Sequence, residues 1–269
     1  MIASPILYAV AAQQLAEARR AMAPCGRLEA QCRPGNIEDA LEIQRRVRII
    51  LNQSVGGWKC SLPGPNVVAA PIYAPDIFTS SPCPVIADGG LARAEPEIAF
   101  VLGCDLPARD SGYSEIEIHD AIAETRLVLE LVGGRYAEPA GLSFPELLAD
   151  HLSNQGLLVC PVMRVDPVEI PGEFPIAVEA CGAVLMKRDG RHPDGHPLRA
   201  FRALVQFLTR QGEGLTKGQV FITGSYAGVL HLPIGKAIRV GFGDMGILDV
   251  EFRATKLSHS DHTAVLRTS

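Results

Sequence analysis

The stretch Arg93-Ala-Glu95-Pro-Glu97-Ile-Ala-Phe-Val-Leu102 carries most of what the sequence says about fold and chemistry. Residues 95–102 read as a β-strand. On a strand, residues two apart point the same way, so Glu95 and Glu97 set two carboxylates side by side. Like charges that close repel unless something positive sits between them. Mg²⁺ or Mn²⁺ suits that position, because hard cations prefer oxygen ligands. Pro96 has no N–H to give to a ladder, which predicts an edge strand or a bulge. On the short E-x-E pattern alone, the commoner reading is the wet face of an edge strand.

Downstream, Arg126 to Val132 also reads as a strand. Leu127, Leu129 and Leu131 share one face, and Val128, Glu130 and Val132 share the other. A carboxylate in so apolar a run is costly to bury unpaired. Two readings stay open for Glu130: a structural ion pair with Arg135, or a third metal ligand. Ser114 with Glu117 forms a capping-box pattern and predicts a helix through about Glu124. Ser143 with Glu146 predicts another through His151.

Upstream, Ile6, Val10, Leu15, Ala18 and Met22 give a helical period that Pro24 ends. Asn36 precedes a second amphipathic segment containing Ile37, Leu41, Val47 and Ile50. Gly56 and Gly57 are expected to close this helical unit. Further strands are expected at residues 58–62, 84–87, 157–162, 176–186, 219–223, 238–242 and 247–252, with a helix over 197–210. The order of strands, helices and strands again predicts an α+β fold with a mixed or antiparallel sheet. The expected organisation is one domain over 1–269, with a helical segment at 1–55 and a β-rich core at 56–269. No glycine-rich dinucleotide or phosphate loop follows a strand.

The 269 residues carry a formal net charge of −5. No basic run or aromatic-basic stripe is present, which argues against a nucleic-acid partner. The seven cysteines are scattered, with no C-x-x-C pair, as expected of free thiols in a reducing compartment. The first residues lack a positive n-region and do not reach membrane-spanning length. The expectation is a cytoplasmic protein with no membrane partner.

An ordered set of segments resembles the hydratase/decarboxylase branch of the fumarylacetoacetase superfamily, the 2-keto-4-pentenoate hydratase / 4-oxalocrotonate decarboxylase family. It runs from Ala40-Leu-Glu-Ile-Gln44 through Gly57-Trp-Lys59-Cys-Ser-Leu62 to Glu95-Pro-Glu97-Ile-Ala-Phe-Val-Leu102. It continues with Leu129-Glu130-Leu-Val-Gly-Gly-Arg135, Ala149-Asp150, Gly195-His-Pro-Leu198 and Phe221-Ile-Thr-Gly-Ser225. The resemblance implies a mixed-β core rolled into a barrel-like shape, N-terminal helices and a homo-oligomer. It also implies Glu95, Glu97 and Glu130 as ligands of one Mg²⁺ or Mn²⁺. There are departures. The asparagine of the family's "ADN" motif is His151 here, followed by Ser153, Asn154 and Gln155. The "GLT" turn reads Cys60-Ser61-Leu62-Pro63.

The activity implied is a hydro-lyase adding water to a 2-hydroxy-2,4-dienoate to give a 4-hydroxy-2-oxo acid, as in aromatic catabolism. The substrate would chelate the metal through its keto and carboxylate oxygens, and the metal would stabilise the charge developing at the 2-oxygen. Lys59 would pair with the substrate or move a proton, and its alternative is a surface lysine at a strand end. Asp76 would be a proton-transfer partner, or else a turn residue after Pro75. Asp150 would orient a ligand or metal-bound water, or else be a solvated charge at a helix end. Ser61, His151, Thr223 and Ser225 would contact the substrate. His192 and His196 read as turn histidines.

Three other functions compete. A vinylogous 2-oxo acid decarboxylase would use the same metal site. A carbon–carbon hydrolase of acylpyruvates needs a His–Glu pair near the N-terminus, and no histidine precedes His119. The third is a metal- or ligand-binding relative without turnover.

Overall fold

The computed structural model describes residues 5–62, 66–163 and 165–255. Pro63, the last residue of the altered turn, lies outside the described residues, as do both ends of the expected 1–269 domain. Two helices open the chain, α1 (Pro5–Ala21) and α2 (Ile37–Leu51). Asn36 caps α2 by accepting the Asp39 N–H, and Asn52 closes it in the left-handed region. The apolar faces of α1 and α2 pack on each other and on Leu148 and Ala149.

The rest is two sheets. The larger is mixed and contains β1 (Val55–Ser61), β2 (Val68–Tyr73), β3 (Ile77–Phe78), β5 (Leu91–Leu102), β6 (Ile122–Val132), β7 (Asn154–Met163) and β10 (Val220–Ile222). Their order is β2-β1-β10-β5-β6-β7-β3, and β11 (Leu230–Pro233) also pairs with β5. The smaller sheet holds β4 (Cys83–Val85), β8 (Glu173–Ala180), β9 (Ala183–Arg191), β12 (Ala237–Phe242) and β13 (Ile247–Ala254), in the order β4-β13-β12-β8-β9. Three more helices join them: α3 (Glu115–Asp120), α4 (Phe144–Ala149) and α5 (Pro197–Arg210). This is the expected α+β class. The larger sheet curls into a half-barrel until β2 lies against β7.

The two faces of the curled sheet differ. Trp58, Ile98, Phe100, Leu127, Leu129, Leu131 and Phe221 face the main core, which α5 and the second sheet complete. Phe201 of α5 stacks between Phe100 and Phe221, at centroid distances of 5.0 and 5.3 Å. The opposite face, inside the curl, carries Ile72, Ala99, Val128, Leu157, Val159, Val220 and Ile222. That inner face is apolar at one end and carries the charged residues of β5 and β6 at the other.

Several local expectations are corrected. Gly56 and Gly57 do not end the helical unit but lie inside β1. Gly57 is parallel-paired with Val220, and a Cβ on it would sit 2.3 Å from the Val220 carbonyl oxygen. Gly57→Ala is therefore expected to lower stability by about 3 kcal/mol, the upper end for overpacking, measured by urea unfolding. The helix expected through Glu124 stops at Asp120, because β6 begins at Ile122. The helix expected through His151 ends at Ala149, and a left-handed turn follows. The single strand expected over 176–186 is a hairpin turning at Cys181 and Gly182, both with positive φ.

Pro96 is corrected too. It sits in an interior strand, paired with Leu129 of β6 on one side. On its other side the partner strands are interrupted, since β10 covers Ala99 to Val101 and β11 covers Leu91 to Ala94. The missing N–H falls in that gap. The Pro96 carbonyl accepts the Tyr226 N–H there, at 3.1 Å, and the Ser225 hydroxyl, at 3.3 Å. An interior proline is tolerated because its ladder is broken on one side only.

Candidate active site

Glu95 and Glu97 project from the same face of β5, and Glu130 lies on β6 directly opposite Glu95 in register. One oxygen from each of the three carboxylates lies within 4.8 Å of the others. Glu97 and Glu130 are buried, at 1% and 0% exposure. Like charges facing each other across a ladder are destabilising, so the strand pairing needs a cation here.

One cation is supplied by the chain. Lys59 on β1 reaches past the short β10. Its Nζ donates to Glu130 Oε1 at 2.7 Å and lies 3.7 Å from Glu95 Oε2. Burial opposes the charge on Lys59, but the Glu130, Glu95 and Glu97 carboxylates outweigh it and hold the ammonium above its ordinary value. Single charge on one lysine does not balance three carboxylates. Burial, with Glu130 beside it, pushes Glu95 up to about 7. Burial and the same neighbour push Glu97 well above the carboxylate range. The Glu130 Oε2 atom is buried and has no hydrogen-bond partner among the described residues. An orphaned carboxylate oxygen beside two more carboxylates fits a hard divalent cation, which takes oxygen ligands only. The residues present therefore suit the metal that the E-x-E pattern suggested.

Each carboxylate is aimed by a defined partner. Gly224 N–H donates to Glu97 Oε2 at 2.7 Å, from the loop that fills the gap beside Pro96. That loop is braced by His192. The Asp194 N–H donates to His192 Nδ1 at 3.1 Å, which leaves the proton on Nε2, 3.3 Å from Thr223 Oγ1. Burial, helped by nearby His196, lowers His192 to about 4, so it is neutral. Asn154 Nδ2 donates to Glu130 Oε1 at 2.9 Å. The Asn154 carbonyl accepts from Arg19 at 2.9 Å and from Arg135. Sequence reasoning gave no role to Asn154 or His192, since nothing local to either marks the strand it braces.

The remaining sequence-derived candidates divide into two groups. Lys59 is at the carboxylates, and Thr223 and Ser225 lie on the loop that holds Glu97. Ser61 faces the same side of β1 as Lys59, at its end. Asp76 is not brought to the cluster. It pairs with Arg19 at 3.3 Å, where burial raises its carboxyl. Asp150 is not a solvated helix-end charge. It is 2% exposed and holds Arg135, accepting from Nε at 2.6 Å and from the Arg135 N–H at 2.7 Å. Arg135 is thus engaged with Asp150, and the cationic partner of Glu130 is Lys59 instead. His151 is buried 3.1 Å from the Tyr73 hydroxyl, and burial with Arg19 and Arg135 nearby keeps its ring neutral.

Residues His151, Leu152 and Ser153 all have positive φ, a strained run for residues with side chains. The turn brings the Leu152 carbonyl to 3.4 Å from Lys59 Nζ. The Asp150–Arg135 pair anchors both ends of this turn. Arg135→Met is expected to cost about 3–5 kcal/mol by leaving the Asp150 charge buried and unpaired, read as a lower urea midpoint. A concavity of about 410 Å³ lies on the smaller sheet near Glu179, Arg239 and Asp249 and contains none of these carboxylates. The three carboxylates with the orphaned Glu130 oxygen lie elsewhere, on the curled sheet.

No protein-family model matches the chain. It is 25% identical over 266 residues to a 2-keto-4-pentenoate hydratase from Paraburkholderia xenovorans, covering 92% of this chain and 96% of that protein. The same figures hold for 2-keto-4-pentenoate hydratase 3 from Pseudomonas putida. Among solved structures it is similar to 4-oxalocrotonate decarboxylase from Pseudomonas putida G7, complexed with magnesium and adipate. That match has a TM-score of 0.74 and 17% identity, over 93% of this chain and 98% of the other. The fold is thus of the fumarylacetoacetase C-terminal-domain type. In sequence the chain is similar over most of its length to the curated 2-keto-4-pentenoate hydratases, and in fold to 4-oxalocrotonate decarboxylase.

Proposed function

We propose that this chain is a divalent-metal-dependent hydro-lyase acting on small unsaturated 2-oxo acids. What carries the reading is the buried Glu95–Glu97–Glu130 cluster with its orphaned Glu130 oxygen and a charged Lys59 at its rim. The two hydratase relatives support water addition as the reaction. Glu95, Glu97 and Glu130 would hold the metal, Mg²⁺ or Mn²⁺ by the chemistry of the ligands. When bound, the metal supplies Lewis-acid polarisation of the 2-oxo group.

The chain's own residues do the rest. Lys59 holds a proton at Nζ, kept there by Glu130 and Glu95. It would hand that proton to the substrate's far carbon. Gain of a proton at C5 and loss of the 2-hydroxyl proton would turn a 2-hydroxy-2,4-dienoate into the conjugated 2-oxo acid, and water would then add across C3–C4, its hydroxyl to C4 and a proton to C3, giving a 4-hydroxy-2-oxo acid. One water is consumed and no redox change occurs. Asn154 and Gly224 fix the carboxylates, and the apolar inner face at Ala99, Val128, Leu157 and Ile222 keeps bulk water from their far side. Thr223, Ser225 and Ser61 would face the substrate carboxylate. Asp76, Asp150 and His151 would act through Arg19, Arg135 and Tyr73 rather than on the substrate itself.

The second reading is decarboxylation of a vinylogous 2-oxo acid, which the likeness to the decarboxylase fold supports. The test is an ultraviolet assay with 2-hydroxypenta-2,4-dienoate beside 2-oxohex-3-enedioate, with and without Mg²⁺. Metal-dependent loss of the dienol absorbance supports the hydratase reading. CO₂ release from the second compound alone moves the assignment to decarboxylase. No metal-dependent change with either compound counts against both.

A further inference from the structure

Arg19 lies in the last turn of α1, where a basic side chain ordinarily serves the final carbonyls of its own helix. Its donors go elsewhere. Nη1 donates to Asp76 Oδ2 at 3.3 Å, and Nη2 donates to the Asn154 carbonyl at 2.9 Å. The guanidinium lies 5.2 Å from the centre of the Tyr73 ring, and the side chain is only 10% exposed. Docking of α1 does not call for such a residue, because Tyr8, Ala11, Ala12, Leu15 and Ala16 already seat the helix by apolar contact. Burying a guanidinium opposes folding, and a second cation nearby adds repulsion. Burial, and then Arg135, lower Arg19 to about 10, which leaves it charged at neutral pH.

The cost falls where the backbone needs a brace. Asn154 opens β7 directly after the positive-φ run of His151, Leu152 and Ser153. Val132 pairs with Asn154 and Leu131 with Gly156, so Gln155 is an extra residue and the ladder slips there. The Asn154 carbonyl is held by Arg19 and Arg135. Asp76 fixes the other side of Arg19. It directly precedes β3, which pairs in parallel with β7 at Ile77 and Leu157. The Asn154 side chain reaches the carboxylates, where Nδ2 donates to Glu130 Oε1 at 2.9 Å. Lys59 holds the same oxygen at 2.7 Å. With Oε1 doubly held, the orphaned Oε2 is the oxygen of Glu130 left for a cation.

We infer that Arg19 is a positioning residue for the metal site: by bracing the Asn154 backbone it fixes the Asn154 amide on Glu130 Oε1 and so presents Oε2 to the metal. The inference rests on the reading of Glu95, Glu97 and Glu130 as a metal site. It makes α1 a working part of that site, through a side chain that touches neither the metal ligands nor the substrate.

The test is a double-mutant cycle on Mn²⁺ affinity, read by electron paramagnetic resonance on the metal-stripped full chain. The variants are Arg19→Met, Asn154→Ala and the two combined. Asn154→Ala removes the amide and keeps the carbonyl that Arg19 holds, so it cuts the route to Glu130 and leaves the Arg19 contacts in place. Each single substitution is expected to weaken Mn²⁺ binding about 10-fold, the low end for losing an outer partner of a metal ligand. The combined variant should lose no more than Asn154→Ala alone, because the two residues act in series. Arg19→Lys keeps the charge without the fork. It should lose less, and that loss should also vanish in the Asn154→Ala background, which decides the matter even if Arg19→Met does not fold. A general structural role would lower the melting temperature without this pattern. Unchanged affinity in both Arg19 variants, or losses that multiply in the combined variant, overturn the inference and leave the metal site standing. No saturable Mn²⁺ site in the wild-type protein removes the metal reading, and the inference with it.

Discussion

Lys59→Met is expected to lower turnover at least about 10³-fold, within the range for losing a positioned proton donor. Divalent-metal affinity should stay the same or tighten. The reason is geometric. Lys59 Nζ occupies Glu130 Oε1 at 2.7 Å and approaches Glu95 at 3.7 Å, so it competes with a metal for the same carboxylates. Methionine retains the apolar stem and removes the charge. The metal-free variant loses the one lysine that offsets three carboxylates, so it should melt lower without Mg²⁺ and gain more from adding it. Steady-state kinetics with metal titration read both effects. Metal affinity that falls together with turnover would make Lys59 a structural prop for the cluster.

Glu95→Ala should reduce turnover below about 10⁻³ of the wild-type value and erase the rise in melting temperature on adding Mg²⁺. Glu95 is the most accessible of the three carboxylates, at 18% exposure, so its loss opens no sealed core. Without metal, the variant should be as stable as the wild-type protein or more so, because one of three crowded charges is gone. A pH dependence follows from the same crowding. The Glu95 carboxyl is raised to about 7, chiefly by burial and then by Glu130. A carboxyl raised in the folded state keeps its full contribution to stability below its unfolded value and loses it as pH rises through the folded one. The metal-free protein should thus weaken as pH rises through about 7. Mg²⁺ affinity should rise over the same interval, because the metal displaces the proton. Mg²⁺ titrations at several pH values read this directly, and an affinity flat across pH 6–8 would count against it.

Glu95 and Glu97 were legible in the sequence because the period of a strand puts them on one face without any knowledge of the fold. Glu130 was conspicuous as a charge in an apolar run, but its register opposite Glu95 is a long-range pairing with no local signal. The choice between Arg135 and a metal as the partner of Glu130 stays open in the sequence for the same reason. Arg135 is near in sequence, whereas Lys59 arrives from β1 across two intervening strands, β10 and β5. Asp76 and Asp150 looked like available acids, yet they meet Arg19 and Arg135, and which guanidinium a carboxylate meets depends on tertiary packing. β2 went unread because Val68-Ala-Ala-Pro-Ile-Tyr73 is buried on both faces and shows no alternation. Pro96 misled because the rule that places proline at edges assumes continuous ladders, and β5 lacks one on a single side. The helices fared better. Asn36 and the two capping boxes mark their starts within a few residues, and α5 spans the expected residues 197–210.

The central claim is that Glu95, Glu97 and Glu130 together bind one divalent cation. The most direct test counts Mn²⁺ by electron paramagnetic resonance titration of metal-stripped protein, in wild type and in Glu97→Gln. The account predicts one saturable Mn²⁺ site per chain, displaced by Mg²⁺, with affinity at least about 10- to 100-fold weaker in the variant, as for losing an interaction with a charged group. An unchanged titration in Glu97→Gln, or no saturable site in the wild-type protein, would contradict it.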